Sequence, residues 1–203
     1  MEHIFKEGNK EAPVLLLLHG TGGNERDLLP VAEMIDPNAS ALGVRGNIVE
    51  NGMPRFFRRV AEGVFDEEDL VFRTKELHEF INEAAEKYGF DRNKVVAVGY
   101  SNGANIAGSL LHHYKDSLAG AILFKAMVPL RGIELPDLSD IPVFIAAGKQ
   151  DPLIPPSETS ELVSALQNAN ASVTEHWSDI GHQLTREEID LATSWYKEHF
   201  TKS

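Results

Sequence analysis

The stretch Val95-Val96-Ala97-Val98-Gly99-Tyr100-Ser101-Asn102-Gly103-Ala104 decides the fold. Its first four residues form an apolar, largely β-branched run that reads as a buried strand. From Ala104 to Tyr114 the pattern turns helical, with Ile106, Leu110 and Leu111 on the inward face. Between strand and helix lies Gly99-Tyr100-Ser101-Asn102-Gly103, a Gly-x-Ser-x-Gly turn. Small residues on both sides of the serine let strand and helix approach closely, while the serine takes a strained conformation and the next N–H points to the same side. A serine hydroxyl is a poor nucleophile at neutral pH and must be presented to a base in this way. Ser101 is therefore the candidate nucleophile; the competing reading is a serine in an ordinary glycine-rich loop.

Outward from this turn, short apolar runs alternate with longer helical patterns. That alternation predicts an α/β fold, a doubly wound, mostly parallel sheet with helices on both faces. The buried-strand candidates are Val14 to His19, Ser40 to Val44, Val95 to Val98, Ala119 to Phe124, Val143 to Ala147 and Ser172 to Trp177, with a short first strand around His3 to Phe5. Glu67 to Tyr88 carries Leu70, Leu77, Ile81, Ala84 and Tyr88 at helical spacing and is stopped by Gly89. Further helices are expected from the Pro155-Pro156 pair through Asn168, and from Thr185, where Thr185 and Glu188 form a capping-box pattern, to near Phe200. Residues 1–203 read as one domain without repeats or linkers and without room for a lid domain. The longest irregular stretches are Arg45 to Gly63 and Met127 to Ile141; long loops at the carboxyl ends of parallel strands are where such sheets bind ligands.

Composition narrows the chemistry. There is no cysteine, which excludes disulfides, thiolate catalysis and Cys-ligated zinc. A formal charge of −12 disfavours nucleic acid and anionic membrane as partners, because both reward a basic face. No apolar run approaches the ~20 residues that span a bilayer. The opening residues Met1 to Glu7 lack the basic start and apolar core of a secretory signal, so the expectation is a cytoplasmic protein without stable membrane association. The local exception to the acidic balance is Arg55-Phe56-Phe57-Arg58-Arg59, either a solvated loop with its aromatics tucked beneath it or a pocket wall with a cationic rim.

A nucleophilic serine needs a base, an orienter for the base and donors for the oxyanion. Of the eight histidines, His182 in Ile180-Gly181-His182 lies between the last strand and the last helix, at the carboxyl edge of the sheet, and is the candidate base. Asp151 opens the proline-stiffened Asp151-Pro152-Leu153-Ile154-Pro155 loop at the same edge, where a carboxylate accepts the imidazole N–H and fixes its tautomer. Its rival is Asp179, three residues from His182 along the chain; its plainer reading is a turn-forming Asp before Pro. The loop His19-Gly20-Thr21-Gly22-Gly23 would supply the backbone N–H of Thr21 to the oxyanion, and Asn102 would supply the second. A phosphate-cradling role for that loop fails on glycine spacing, and His19 is expected to pin the loop rather than transfer protons.

His-Gly-Thr-Gly-Gly, Gly-Tyr-Ser-Asn-Gly, Asp-Pro-Leu-Ile-Pro and Gly-His, in that order, resemble an α/β-hydrolase. More narrowly the chain is similar to the small, lidless carboxylesterase/phospholipase family, whose relatives include acyl-protein thioesterases and lysophospholipases. The resemblance runs from about Val14 to Phe200 and implies the order nucleophile, acid, histidine, met by Ser101, Asp151 and His182. It also matches the family's oxyanion donors to Thr21 and Asn102. Relatives often carry Gln in place of Asn102, which changes little for a backbone donor. Many relatives have Ser-Gly where this chain has Lys125-Ala126, a departure that bears on the shape and charge of the pocket. Phe56, Phe57, Met127, Val128, Leu130, Leu153, Ile154 and Leu184 lie on carboxyl-edge loops and are the expected lining of an acyl or aryl pocket.

These readings converge on a serine carboxylesterase acting on small to medium esters, with no metal or organic cofactor and a monomer or homodimer as the assembly. The alternative within the class is a lysophospholipase or acyl-protein thioesterase, in which Arg55, Arg58 and Arg59 would meet a phosphate or an acidic partner. From a different class, the alternative is a hydrolase-fold binding protein without catalysis.

Overall fold

Val14–Leu18 is apolar at every position because a strand in the middle of a parallel sheet is covered on both faces. In the computed structural model, which describes residues 1–201, this strand is β2 of eleven strands and five helices. The strands are β1 (His3–Lys6), β2 (Val14–Leu18), β3 (Ala41–Val44), β4 (Ile48–Glu50), β5 (Met53–Arg55), β6 (Arg59–Ala61), β7 (Val64–Phe65), β8 (Val95–Tyr100), β9 (Gly120–Phe124), β10 (Pro142–Gly148) and β11 (Ser172–Ser178). The helices are α1 (Leu29–Ile35), α2 (Glu67–Tyr88), α3 (Asn102–His113), α4 (Pro156–Asn168) and α5 (Arg186–Phe200).

Seven strands form one sheet in the order β1-β3-β2-β8-β9-β10-β11, with only the β1–β3 pair antiparallel. Side chains on a strand alternate between faces, and two cores result. Val14, Leu16 and Leu18 join a core with residues of α2, α3 and α4, while Leu15 and Leu17 join a second core with residues of α1 and α5. No element among the described residues forms a separate lid.

The helix ends follow the local chemistry. Asp66 caps α2 by accepting from the Asp69 N–H, and Gly89 ends it with φ 71°, in the left-handed region. Thr185 and Glu188 form the capping box at the start of α5. One helix was not read from the sequence, and one expectation is corrected. Leu29–Ile35 is a helix, with Pro30 in its first turn, and it buries Val31, Ala32 and Ile35; seven residues are too few to show a helical period in sequence. Arg45 to Gly63 is not an irregular stretch: it holds β4 and β5 and most of a second hairpin, β6–β7. Asn51 and Gly52, both at positive φ, make the tight turn between β4 and β5.

Candidate active site

β8 runs into α3 through Ser101, which is held at φ 54°, a conformation that costs a non-glycine residue strain. The turn is possible because its neighbours lack side chains. A Cβ on Gly99 would lie 2.7 Å from the Ala104 nitrogen, and one on Gly103 would collide with the Leu18 carbonyl oxygen. Strand, turn and helix are thereby pressed together, and the Ser101 hydroxyl stands at the carboxyl edge of the sheet.

His182 reaches that edge on the loop between β11 and α5. Its Nε2 is 2.8 Å from Ser101 Oγ, and its Nδ1–H donates to Asp151 Oδ2 at 2.7 Å. A carboxylate only accepts, so the proton sits on Nδ1 and leaves Nε2 free to accept from the serine hydroxyl. Asp151 is itself held in place, with Oδ1 accepting the N–H groups of Leu153 at 2.8 Å and Ile154 at 3.2 Å. Its side chain is 1% exposed and that of His182 20%, so the acid is shielded and the imidazole open to a substrate. Asp179, the rival orienter, is 88% exposed and pairs with Lys149 instead.

Thr21 and Asn102 both border the cavity in front of Ser101, and the backbone N–H groups of both lack a protein acceptor among the described residues. Asn102 is the first residue of α3, where N–H groups point out of the helix end. His19 is buried beneath the loop that carries Thr21. Its Nδ1–H donates to Gly20 O at 2.6 Å and its Nε2 accepts the Gly46 N–H at 3.0 Å, so both ring nitrogens are engaged in holding two loops together. Burial lowers its pKa, keeping it neutral.

The cavity encloses about 240 Å³, and Met127, Leu153 and Ile154 line it together with Tyr100, Arg55 and Lys125. The other expected lining residues are elsewhere. Phe56 and Phe57 are buried in the core, 1% and 0% exposed, because their segment folds under the sheet edge: the Phe56 ring packs on His19, its N–H donates to Asn102 Oδ1, and Phe57 meets Phe65 edge to face. Val128 belongs to the core of α2, α3 and α4. Leu184 packs against the α1 and α5 core, and Leu130 is half-buried away from the cavity.

Two participants were not singled out from sequence, and a third was named only as one of a cluster. Tyr100 donates from its hydroxyl to the His182 carbonyl at 2.8 Å and so fixes the histidine loop to β8. Asn105 accepts the Met127 N–H and shapes the cavity wall. Arg55 donates to Thr21 Oγ1 at 2.6 Å. An arginine within an Arg-Phe-Phe-Arg-Arg cluster was the available signal, but nothing in the sequence says which of its cations turns inward. Among the described residues no group of three or more His, Asp or Glu is placed to hold a metal ion.

A mostly parallel sheet with helices on both faces and a strained serine between strand and helix defines an α/β-hydrolase. Residues 1–200 match the family described as Phospholipase/Carboxylesterase, and the chain belongs to that family, a hydrolase of ester bonds. It is 61% identical over 198 residues to "Putative hydrolase MhqD" of Bacillus subtilis (strain 168), covering 98% of both chains. The crystal structure of the Bacillus cereus carboxylesterase superposes with a TM-score of 0.98 at 61% identity, over 98% of this chain and 95% of that one. Acyl-protein thioesterase 1 of Cryptococcus neoformans is 28% identical over 175 residues, 76% of this chain and 73% of that protein.

Proposed function

We propose that this protein is a serine carboxylesterase that hydrolyses small to medium carboxylic esters through an acyl-enzyme on Ser101. The carrying observation is the hydrogen-bonded chain from Ser101 Oγ through His182 to Asp151, at 2.8 and 2.7 Å, beside the N–H groups of Thr21 and Asn102, which have no acceptor among the described residues.

In this mechanism His182 Nε2 takes the hydroxyl proton as Ser101 Oγ attacks the ester carbonyl carbon. Negative charge develops on the carbonyl oxygen, to which the N–H groups of Thr21 and Asn102 donate; one such donor is worth about 3 kcal/mol in the transition state. Asp151 stabilises the imidazolium that forms. The C–O bond to the alcohol breaks, and His182 hands its proton to the departing alkoxide. Water then gives a proton to Nε2 and attacks the acyl carbon, the acid leaves, and the proton returns to Ser101.

A cavity of about 240 Å³ lies at or below the small end of ligand sites, which supports short acyl or alcohol groups over long lipid chains. That observation sets the esterase reading above the lysophospholipase or acyl-protein thioesterase one. The test is a fluorophosphonate probe followed by an ester series. Labelling that vanishes in Ser101→Ala, with turnover falling as the acyl chain lengthens beyond a few carbons, is the expected result. A folded wild-type protein that does not label would overturn the reading in favour of a non-catalytic binding protein.

A further inference from the structure

The hydrolytic steps above leave a buried arginine at the cavity wall without a task. Arg55 is 3% exposed, yet its guanidinium donates to neutral acceptors only: Nε to the Phe57 carbonyl at 3.1 Å and Nη1 to Thr21 Oγ1 at 2.6 Å. Among the described residues Nη2 has no acceptor. The nearest carboxylate, Glu50, stands 3.8 Å from Arg55 Nε and is already taken by Arg59, whose Nε and Nη2 both donate to its Oε1, at 3.0 and 2.7 Å. Two guanidinium groups thus share one carboxylate, and the buried one is short of counter-charge. Desolvation, followed by the charge of Arg59, lowers the Arg55 pKa, with Glu50 offsetting part of it. A guanidinium nevertheless stays protonated in proteins, so the charge persists beside the cavity.

Arg59 and Glu62 also border the cavity. Glu62 is exposed, where water and salt screen it, whereas the field of Arg55 acts through a poorly solvated wall. Asn102, on the same cavity, keeps its Nδ2 buried without a partner among the described residues. A guanidinium with Nη2 free to donate suits a carboxylate, which is acceptor-only and gains a charge-assisted hydrogen bond there. A phosphate dianion would call for a second free cation, and Arg59 and Lys125, which also border the cavity, are already paired with Glu50 and Glu188.

We propose that the cavity takes small esters that carry a carboxylate close to the scissile carbonyl, with Arg55 as the residue that determines this specificity. The inference rests on the Ser101 acyl-transfer reading and names its substrate class: monoesters of short dicarboxylic acids and esters of similar size and charge.

The test compares kcat/KM for monoethyl succinate with that for ethyl 4-methylpentanoate, its neutral counterpart of similar shape, by ethanol release. The wild type is expected to favour the charged ester at least ~10-fold, and succinate to inhibit competitively where succinamide does not. Arg55→Gln should lower the charged-to-neutral ratio by roughly 30- to 100-fold, while Glu50→Gln, which removes the competing carboxylate, should raise it several-fold. The wild-type comparison and the inhibition measurement need no variant, so they decide the matter even if Arg55→Gln does not fold. Equal or better turnover of the neutral ester, preference for lysophospholipid, or an Arg55→Gln variant that loses both esters equally would overturn the proposal. Fluorophosphonate labelling separates the two levels: a wild type that labels but does not prefer the carboxylate sinks only this inference, and one that fails to label sinks the hydrolytic reading beneath it.

Discussion

Lys125 and Glu188, 63 residues apart in the chain, pair at 2.5 Å with both side chains fully buried. Lys125 follows β9 directly and stands at φ 59°, while Glu188 belongs to the first turn of α5 and also accepts the N–H and hydroxyl of Thr185 through its other oxygen. The pair therefore ties the end of β9 to the helix that begins just after His182. Breaking a buried pair from one side leaves a charge without solvent or partner, at a cost of about 3–5 kcal/mol. Lys125→Met should lower stability by that amount in urea unfolding, and Lys125→Met combined with Glu188→Leu should recover much of it. A single substitution costing under about 1 kcal/mol would mean the pair is not a structural tie.

Ser101 gives a second expectation, because its backbone strain is separable from its hydroxyl. Strain of this kind costs of order 1–3 kcal/mol, whereas the extra freedom of an unfolded glycine costs about 0.4–1 kcal/mol. Relief of the strain outweighs the added chain entropy, so Ser101→Gly should abolish ester hydrolysis while raising the thermal midpoint by a few degrees. A midpoint equal to or below that of the wild type would show the turn to be unstrained.

Asp151 is expected to act through the tautomer of His182. Asp151→Asn can still accept the N–H groups of Leu153 and Ile154, but presents an amide N–H to His182 Nδ1, which then becomes the acceptor and moves the ring proton to Nε2. The base for Ser101 is lost, and kcat should fall by about 10³–10⁴-fold with the fold intact. A loss of less than tenfold on a 4-nitrophenyl ester would remove Asp151 from the mechanism.

Acid sensitivity follows from His112, buried in α3 with Nδ1–H donating to the Gly108 carbonyl and Nε2 without a partner among the described residues. Desolvation pushes its pKa down to about 4 from an ordinary 6.5. Its folded form refuses a proton that the unfolded chain accepts, so the contribution is full above about pH 6.5 and is lost as pH falls toward 4, some 3 kcal/mol in all. His19, also lowered by burial, adds to the same slope. Urea midpoints between pH 7 and pH 4.5 should therefore decline, and decline less steeply in His112→Leu. Parallel curves for the two proteins would rule out His112 as a source.

The seven strands of the main sheet and four of the helices were legible, the inner strands because burial on both faces needs unbroken apolar runs and the long helices because they repeat their apolar face several times. Val14–Leu18 and Glu67–Tyr88 are the clearest cases. Helix α1 was not legible, since it ends before its period repeats twice. The β4–β5 hairpin did carry its signal, the Asn51-Gly52 turn, but three-residue strands flanking it are too short to read as such. For the candidate site, Ser101, Asp151, His182, Thr21 and Asn102 were proposed from turn chemistry and their places between elements, and the fold brings them to one edge of the sheet. Phe56 and Phe57 could not be assigned correctly, because an aromatic on a loop faces either ligand or core according to the path of the backbone.

By itself the sequence determined the kind and order of the main-sheet strands and the longer helices, and which residues stand at the carboxyl ends of those strands, since these depend on local periodicity, glycine sterics and turn geometry. Only the tertiary structure decided which groups meet: the imidazole at 182 against the hydroxyl at 101, the ammonium at 125 against the carboxylate at 188, and the guanidinium at 55 left to share the carboxylate at 50 with its neighbour at 59. Those pairings join residues far apart in the chain, and their energies depend on distance and burial, neither of which exists until the sheet has formed.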